Sequence, residues 1–230
     1  MPISAWPRRW TALRRACEYR NATGRWAAGA GKPPRFEIAP PATQHEIEAV
    51  EAKLGTRIPS SFRKVLLDYS SATCIEWALP KGRVMPEVFR KIWSGECRWN
   101  LALLPALQYT YRQCLEVFTD PTDKYDGPWQ NKFPVLEVGN GDMLGIDLSN
   151  AEHNPVVYLS HEGDDSVHGF WLGRDFEDYV DRLTMLGSVG AEDWQILPFV
   201  SGPRSLLETN SANARHWREW FGLQLPAGDV

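Results

Sequence analysis

Two apolar segments separated by a glycine-rich tetrapeptide constrain the fold of this chain more than any other feature. The tetrapeptide is Gly139-Asn140-Gly141-Asp142, and the segments on either side of it are residues 133–138 and 143–148. Asn-Gly between apolar runs is the strongest short-range signal for a β-hairpin, because both residues tolerate a positive φ. The sequence therefore predicts two antiparallel strands joined at this corner.

Two further strands follow the hairpin. Residues 156–160 and 168–172 have the β-branched and aromatic composition of strands, and the acidic tetrapeptide at 162–165 predicts the turn between them. Successive strands joined by short links form an antiparallel meander. The sequence therefore predicts one antiparallel sheet that contains all four strands.

Amphipathic helices are predicted before and after these strands. Thr43 and Glu46 have the spacing of a capping box, and Gly55 supplies the left-handed stop of the helix that they begin. A second helix enters through Pro59, and a third begins at Asp175. Each helix has an apolar stripe that needs a surface to cover it. The stripes are Ile47, Val50 and Leu54; Phe62, Val65, Leu66 and Tyr69; and Phe176, Val180 and Leu183.

The remaining segments are less regular. Residues 24–42 are rich in Gly, Ala and Pro and are predicted to be a linker. A short strand is predicted at residues 74–79, and residues 80–100 show no clear period. Helices are predicted at residues 105–118, 193–200 and 212–221.

The charge is unevenly distributed. Residues 1–35 carry eight Lys and Arg against one Glu, so this segment has a charge of +7, and the remainder carries −11 within the total of −4. Trp6, Trp10, Leu13 and Cys17 fall on one helical face. We predict a basic helix that docks on the acidic body; a transit peptide and a nucleic-acid-binding arm are the alternatives that this composition leaves open.

No catalytic, cofactor-binding or metal-binding residue is predicted. A dinucleotide fingerprint needs a helix after its glycines, whereas a strand follows Gly145. His161, Asp164, Asp165 and His168 have the chemistry of ligands for a divalent ion, but a hairpin tip rich in Gly and Asp is more often a solvated turn. No serine or cysteine has the sequence context of a nucleophile.

Cysteine usage and hydropathy favour an intracellular protein. The four cysteines are widely spaced and form no CxxC pair, which predicts free thiols in a reducing compartment. The N-terminal segment has no apolar core of a signal peptide, and no apolar run reaches the roughly 18 residues of a membrane helix. We predict a cytoplasmic location.

The order and spacing of these motifs resemble the SUKH superfamily, which includes the fungal Smi/Knr cell-wall regulators and many bacterial immunity proteins. The first signature is Thr43-x-x-Glu46-Ile47-x-x-x-Glu51-x-x-Leu54-Gly55-x-x-Ile58-Pro59-x-x-Phe62-x-x-x-Leu66. The later ones are Phe133-Pro134-Val135, Gly139-Asn140-Gly141-Asp142, Gly145-Ile146-Asp147, Pro155-Val156-Val157-Tyr158 and Asp175-Phe176-x-x-Tyr179-Val180-x-x-Leu183. The resemblance covers about residues 40–185. It departs at residues 69–72, where the family often has a glycine, and in the long segment 77–99.

The resemblance implies an α+β fold in which helices pack on an antiparallel meander of about four to six strands. It also implies a non-catalytic protein-binding module, an immunity protein that neutralises a cognate toxin, such as a nuclease, by binding it directly. A regulatory scaffold of the cell-wall-regulator type is the alternative, and a metal-dependent enzyme using residues 161–168 is a weaker one. We divide the chain into a basic N-terminal helical extension and linker (1–35), a SUKH-like domain (36–188) and a C-terminal helical extension of that domain (189–230).

An acidic body favours a basic protein partner, because complementary charge raises the association rate. Nucleic acid, membranes and cofactors are not predicted partners, and the sequence does not indicate an oligomeric state. Aromatic side chains dominate binding hot spots. The predicted contacts are four tryptophans expected to be exposed, Trp77, Trp93, Trp99 and Trp129, and seven carboxylates, Asp120, Asp123, Asp126, Asp142, Glu162, Asp164 and Asp165.

Overall fold

The computed structural model of the chain describes residues 3–22, 33–79, 83–149, 153–162, 167–190 and 192–229. Its helices are α1 (Trp6–Ala22), α2 (Gln44–Leu54), α3 (Ser60–Asp68), α4 (Leu104–Val117), α5 (Phe176–Met185), α6 (Asp193–Ile196) and α7 (Ala212–Phe221). Its strands are β1 (Arg35–Ile38), β2 (Ala72–Ala78), β3 (Ser94–Asn100), β4 (Lys132–Glu137), β5 (Met143–Asp147), β6 (Val156–Leu159) and β7 (Trp171–Gly173). The described strands form two antiparallel sheets, β1-β2-β3 and β4-β5-β6-β7. The predicted α+β fold and antiparallel meander are confirmed, but the seven described strands form two sheets, whereas a single sheet of about four to six strands was predicted.

The Asn-Gly corner makes a tight turn between β4 and β5. Gly141 N–H donates to the Val138 carbonyl at 2.9 Å, and Val138 N–H donates to the Asp142 carbonyl at 2.7 Å. Gly141 has a φ of 98°, a conformation that strains any residue with a Cβ. The Asn140 side chain donates to Asp142 Oδ2 at 2.8 Å. The corner is therefore a hairpin turn held by its own side chains, as the sequence predicts.

Both faces of the four-stranded sheet are covered. Val156 and Tyr158 on β6 belong to the main core, whereas Val157 and Leu159 belong to a second apolar cluster on the other face. Trp129 is part of that second cluster. Burial on two faces explains why β5 and β6 have nearly continuous apolar sequences instead of alternating ones.

The three-stranded sheet was not predicted. β1 lies inside the segment predicted as a linker, and β3 lies in the segment to which no structure was assigned. Glu37 of β1, Cys74 of β2 and Arg98 of β3 are opposite one another in the register. The residues between them, such as Ile75, point to the other face and into the main core. The sheet therefore has one apolar face and one face with charged side chains.

The predicted helix signals are confirmed with small shifts at the ends. Thr43 N–H donates to Glu46 Oε2 at 2.7 Å, and Glu46 N–H donates to Thr43 Oγ1 at 3.2 Å, which completes the capping box. The C-terminal segment is shorter than predicted, because α6 ends at Ile196 and a single tighter turn that contains Pro198 follows it. Among the described residues, no helix combines the length and the apolar character that crossing a bilayer requires.

Helix α1 packs into the same core as the rest of the chain. Trp6, Trp10, Leu13 and Cys17 are buried, with exposed fractions of 3% or less. They join one cluster with residues of α5, such as Val180, and with Trp217 of α7. The predicted docking of the basic helix is therefore confirmed. The proposed boundaries at residues 35 and 188 stay a prediction.

A buried ion cluster ties α1 to α5 and to the C-terminal segment. Arg9 is fully buried and donates to Asp181 Oδ1 at 2.8 Å, to Thr184 Oγ1 at 2.9 Å and to Asp229 Oδ2 at 3.0 Å. Trp6 Nε1 also donates to Asp181, at 3.3 Å. Two carboxylates and a hydroxyl therefore share one guanidinium, and this cluster joins segments that are far apart in the sequence.

Candidate functional site

The loop that follows α4 presents carboxylates to solvent in a fixed arrangement. Asp120 Oδ1 accepts from Thr122 N–H at 2.8 Å, and Asp123 Oδ1 accepts from Tyr125 N–H at 2.7 Å and from Asp126 N–H at 3.0 Å. The hydrogen bonds from Thr122 lower the pKa of Asp120, and those from Asp126 and Tyr125 lower the pKa of Asp123. Both exposed carboxyl groups are therefore ionised well below neutral pH.

Tyr125 and His168 connect this loop to the segment after β6. Tyr125 Oη donates to the Ser160 carbonyl at 2.6 Å, and the Tyr125 ring stacks on His168 with centroids 4.4 Å apart. His168 Nδ1 accepts from Ser160 N–H at 2.9 Å, so Nε2 carries the proton and donates to the Tyr125 carbonyl at 2.7 Å. Two acidic segments that are distant in the sequence are therefore held in contact.

The segment after β6 adds Glu162 to this surface. Glu162 is exposed, and its backbone N–H donates to Ser160 Oγ at 3.4 Å. We call Asp120, Asp123, Asp126 and Glu162 the acidic end. Asp164 and Asp165, which were predicted at the same surface, lie outside the described residues.

The alternative of a metal site formed by His161, Asp164, Asp165 and His168 loses His168 as a ligand. Both ring nitrogens of His168 are used in the hydrogen bonds that hold the two loops together. His161 makes its contact with Asp142 instead, through Nδ1 at 2.7 Å. No group of three or more His, Cys, Asp or Glu with metal-binding geometry occurs among the described residues. His161 and His168 therefore make contacts within the fold, with Asp142 and with the Ser160 and Tyr125 backbone.

Asp142 was predicted as a partner contact, and that prediction is wrong because its side chain is buried. It is 1% exposed, and its oxygens accept from Tyr158 Oη, Asn140 Nδ2 and His161 N–H. Burial acts to raise the pKa of Asp142, but the hydrogen bonds from Tyr158, His161 and Asn140 outweigh it, so that the pKa lies below 3.8. Asp142 therefore fixes the hairpin corner against β6.

Replacing Asp142 with asparagine is expected to destabilise the protein by about 1–3 kcal/mol at pH 7, because one carboxylate satisfies several buried donors. A lowered pKa stabilises the folded state above the unfolded-state value, and this contribution is lost as the pH falls through the folded-state pKa. The difference in the free energy of unfolding between the unchanged protein and the Asp142→Asn variant should therefore become smaller below pH 3.8. Urea unfolding followed by tryptophan fluorescence between pH 7 and 3 measures it, with Asp68→Asn on the surface of α3 as the control. A destabilisation that did not change with pH would contradict this role.

Three of the four predicted tryptophan contacts are core residues, and the expectation that they are exposed is wrong. Trp77, Trp99 and Trp129 have exposed fractions of 3%, 2% and 0%. Their indole N–H groups donate to the carbonyls of Gly187, Ser70 and Ser160. Trp77 and Trp99 point inward because they alternate with outward-facing residues on β2 and β3.

Trp93 is the one predicted tryptophan contact that is exposed, at 45%. It precedes β3, and its neighbours in the sequence are the cations Arg90 and Lys91. It belongs to neither of the two acidic loops. Its role as a contact stays a prediction.

The thiols are not activated nucleophiles. Burial raises the pKa of Cys17 to about 12 and that of Cys74 to about 11. All four cysteines are free. A thiol with a raised pKa is protonated at neutral pH and reacts slowly. The prediction of free thiols is confirmed.

A groove that the sequence did not indicate runs along α4. It has a volume of about 740 Å³ and lies between α4, the charged face of the three-stranded sheet and the end of β4. Leu103, Ala106 and Leu107 line it on the helix side, and Arg35, Glu37 and Arg98 line it on the sheet side. The groove forms where the two sheets meet, so no local sequence pattern encodes it.

Comparison with known families supports the resemblance inferred from the motifs. A model of the SMI1 / KNR4 family (SUKH-1) matches residues 41–182. This match covers more than half of the chain, and the chain belongs to this family. Domains of the family are generally non-catalytic, and membership fits an immunity or cell-wall-related protein. No curated protein matches the sequence.

Proposed function

We propose that this protein is an immunity protein that neutralises a basic protein toxin by binding it directly. The observation that carries this proposal is the joining of two acidic loops, residues 120–126 and 160–162, by Tyr125 and His168. Family membership supports a binding role over a catalytic one.

The charge of the acidic end supports a basic partner. Its carboxylates are exposed or half-buried, and the lowered pKa values of Asp120 and Asp123 keep these two ionised at every physiological pH. A negative surface attracts a basic groove and accelerates association with it. The same surface repels phosphate groups, so we expect no binding to nucleic acid or to anionic membranes. We propose a cytoplasmic site of action, where a toxin that enters the cell would be met.

The direct test is to purify the protein with the product of the gene next to its own. A stable complex, with loss of the partner's toxicity in cells that also make this protein, is the expected result. If the product of neither neighbouring gene is bound or neutralised, the immunity role is wrong.

The contribution of the acidic end is tested with Asp120→Asn combined with Asp123→Asn. Asparagine keeps the side-chain oxygen that accepts from Thr122 and Tyr125, so the loop is expected to stay folded while two charges are lost. The association rate with the neutralised toxin should fall by about tenfold at 0.05 M salt and differ little from that of the unchanged protein at 1 M salt. Asp68→Asn combined with Glu219→Gln, which removes two exposed charges on α3 and α7, is the matched control. Equal rates for both double variants would show that the acidic end is not the contact.

A further inference from the structure

Helix α4 carries an apolar stripe beside the face that it buries; Leu107 and Cys114 of this stripe also touch the core clusters, and the rest of it faces away from them. At 100° per residue, Leu103, which directly precedes the helix, and five positions within it fall within an arc of about 100°. Leu103 at the start of the helix is 60% exposed, and Val117 at its end is 70% exposed. The six residues are Leu103, Ala106, Leu107, Thr110, Cys114 and Val117. The two exposed aliphatic residues, Leu103 and Val117, lie at the two ends of this stripe, and a contiguous exposed apolar patch marks an interaction site.

The stripe forms one wall of the groove beside α4. Leu103, Ala106, Leu107 and Thr110 line the groove, and the β4 end opposite them contributes Leu136 and Val138. The cavity of about 740 Å³ therefore has apolar side chains on two sides. Such a concave, largely preformed space suits the insertion of apolar side chains from a partner.

The charged groups of the groove are largely paired with one another. Arg35 lies 2.5 Å from Glu37, and Arg98 lies 3.0 Å from Glu96 and 3.7 Å from Glu76. Each arginine of the groove is thus already neutralised by a carboxylate. Glu137 is exposed at the β4 end of the groove. The charge offered to an incoming segment is therefore negative.

The stripe leads from the groove to the acidic end. α4 ends at Val117, and Asp120 follows three residues later. The 14 residues of α4 span about 20 Å, the length of a short binding helix. Apolar side chains along the helix are therefore followed by negative charge beyond its C-terminus.

We infer that this groove binds an amphipathic helix of the toxin, with its apolar face on the α4 stripe and a cluster of Lys or Arg over the acidic end. This inference rests on the proposed function and identifies the segment that the partner contributes. Helix-in-groove binding uses apolar anchors at i, i+3, i+4 and i+7, which match the spacing of the α4 stripe. A second copy of this chain is a poorer occupant, because it would place a negative surface against another negative surface.

A displayed library of random 16-residue segments on a helical scaffold tests the inference without the toxin. Selection on the purified full chain is expected to enrich sequences with an apolar helical face and two or more Lys or Arg at one end. Ala106→Arg places a bulky cation in the middle of the stripe and should weaken the selected helices at least tenfold. Tyr109→Arg, on another side of the same helix and 67% exposed, should change the affinity less than twofold.

Each other result overturns the inference. Enrichment of acidic or non-amphipathic sequences, or no enrichment, would show that the groove does not recognise this kind of segment. Equal binding by the Ala106→Arg and Tyr109→Arg variants would place the contact elsewhere. If the protein sediments at twice the 26.1 kDa mass of one chain and the Ala106→Arg variant sediments as a single chain, then a second copy of the chain covers the stripe. The library contains no toxin, so a negative selection result would contradict the groove inference without contradicting toxin neutralisation. A negative neutralisation result would likewise leave the result of the selection unchanged.

Discussion

Replacing Arg9 with alanine is expected to destabilise this protein by about 3–5 kcal/mol, one of the two largest effects of any single change that we predict. Arg9 is fully buried, and its guanidinium donates to Asp181 and Asp229. Without the cation, both carboxylates stay in a desolvated site with no opposite charge. A charge that is buried and unpaired is among the most destabilising changes in a folded protein.

Urea unfolding of the Arg9→Ala and Arg8→Ala variants measures this effect. Arg8 lies on the same helix and is exposed, so its removal should change the free energy of unfolding by about 0.5 kcal/mol or less. Arg9→Lys should give an intermediate loss, because an ammonium keeps the charge but cannot reproduce the planar set of donors. Similar stability for the Arg8 and Arg9 alanine variants would mean that α1 is not anchored by this cluster.

Replacing Trp129 with alanine is expected to destabilise the protein by about 3–5 kcal/mol, the usual loss for a large aromatic residue in a core. Trp129 is completely buried, stacks on Phe118 with centroids 4.7 Å apart and donates to the Ser160 carbonyl at 3.2 Å. Tyr125 donates to the same carbonyl. The substitution should therefore also loosen the connection between the two acidic loops.

Trp93→Ala is the matched control, because Trp93 was predicted as the same kind of contact but is exposed. Its removal should lower the free energy of unfolding by about 1 kcal/mol or less. Thermal unfolding of both variants, together with hydrogen exchange of residues 120–126 and 160–162, gives the comparison. Unchanged exchange in both loops of the Trp129→Ala protein would show that the indole does not support the acidic end.

The predictions that succeeded depend on residues close together in the sequence. Thr43 and Glu46 are three residues apart, and their mutual hydrogen bonds need no tertiary contact. Gly141 provides the left-handed residue that the hairpin turn requires. Trp6 and Leu13 mark the buried face of α1 through helical spacing alone. Local chemistry and periodicity therefore defined these elements and their buried faces.

The strands that the sequence did not reveal have weak apolar character. β1 has four residues, two of them charged, and follows a Gly-, Ala- and Pro-rich stretch, so it does not resemble a strand in isolation. β3 contains Gly95, Glu96 and Arg98, so its extended conformation depends mainly on its pairing with β2. Propensity scales cannot detect pairing between segments that are distant in the sequence.

The candidate site was predicted in part. The carboxylates at 120–126 and at 162 were identified from composition, but their proximity depends on the contacts of Tyr125 with Ser160 and His168, residues 35 and 43 positions away in the sequence. The groove depends on the meeting of two sheets, one of which was not foreseen. Surfaces assembled from distant segments are defined by tertiary packing, and single-sequence patterns do not contain that information.

The bonds between Tyr125, Ser160 and His168 also bear on how tightly a partner can be held. A flexible loop loses conformational entropy when it becomes ordered in a complex, at about 0.5–1.5 kcal/mol for each side chain that is immobilised. Here both loops are already ordered by contacts within the free protein. Less entropy is left to lose at the moment of docking, so a complex formed at this surface should dissociate slowly even when salt has removed the electrostatic advantage in forming it.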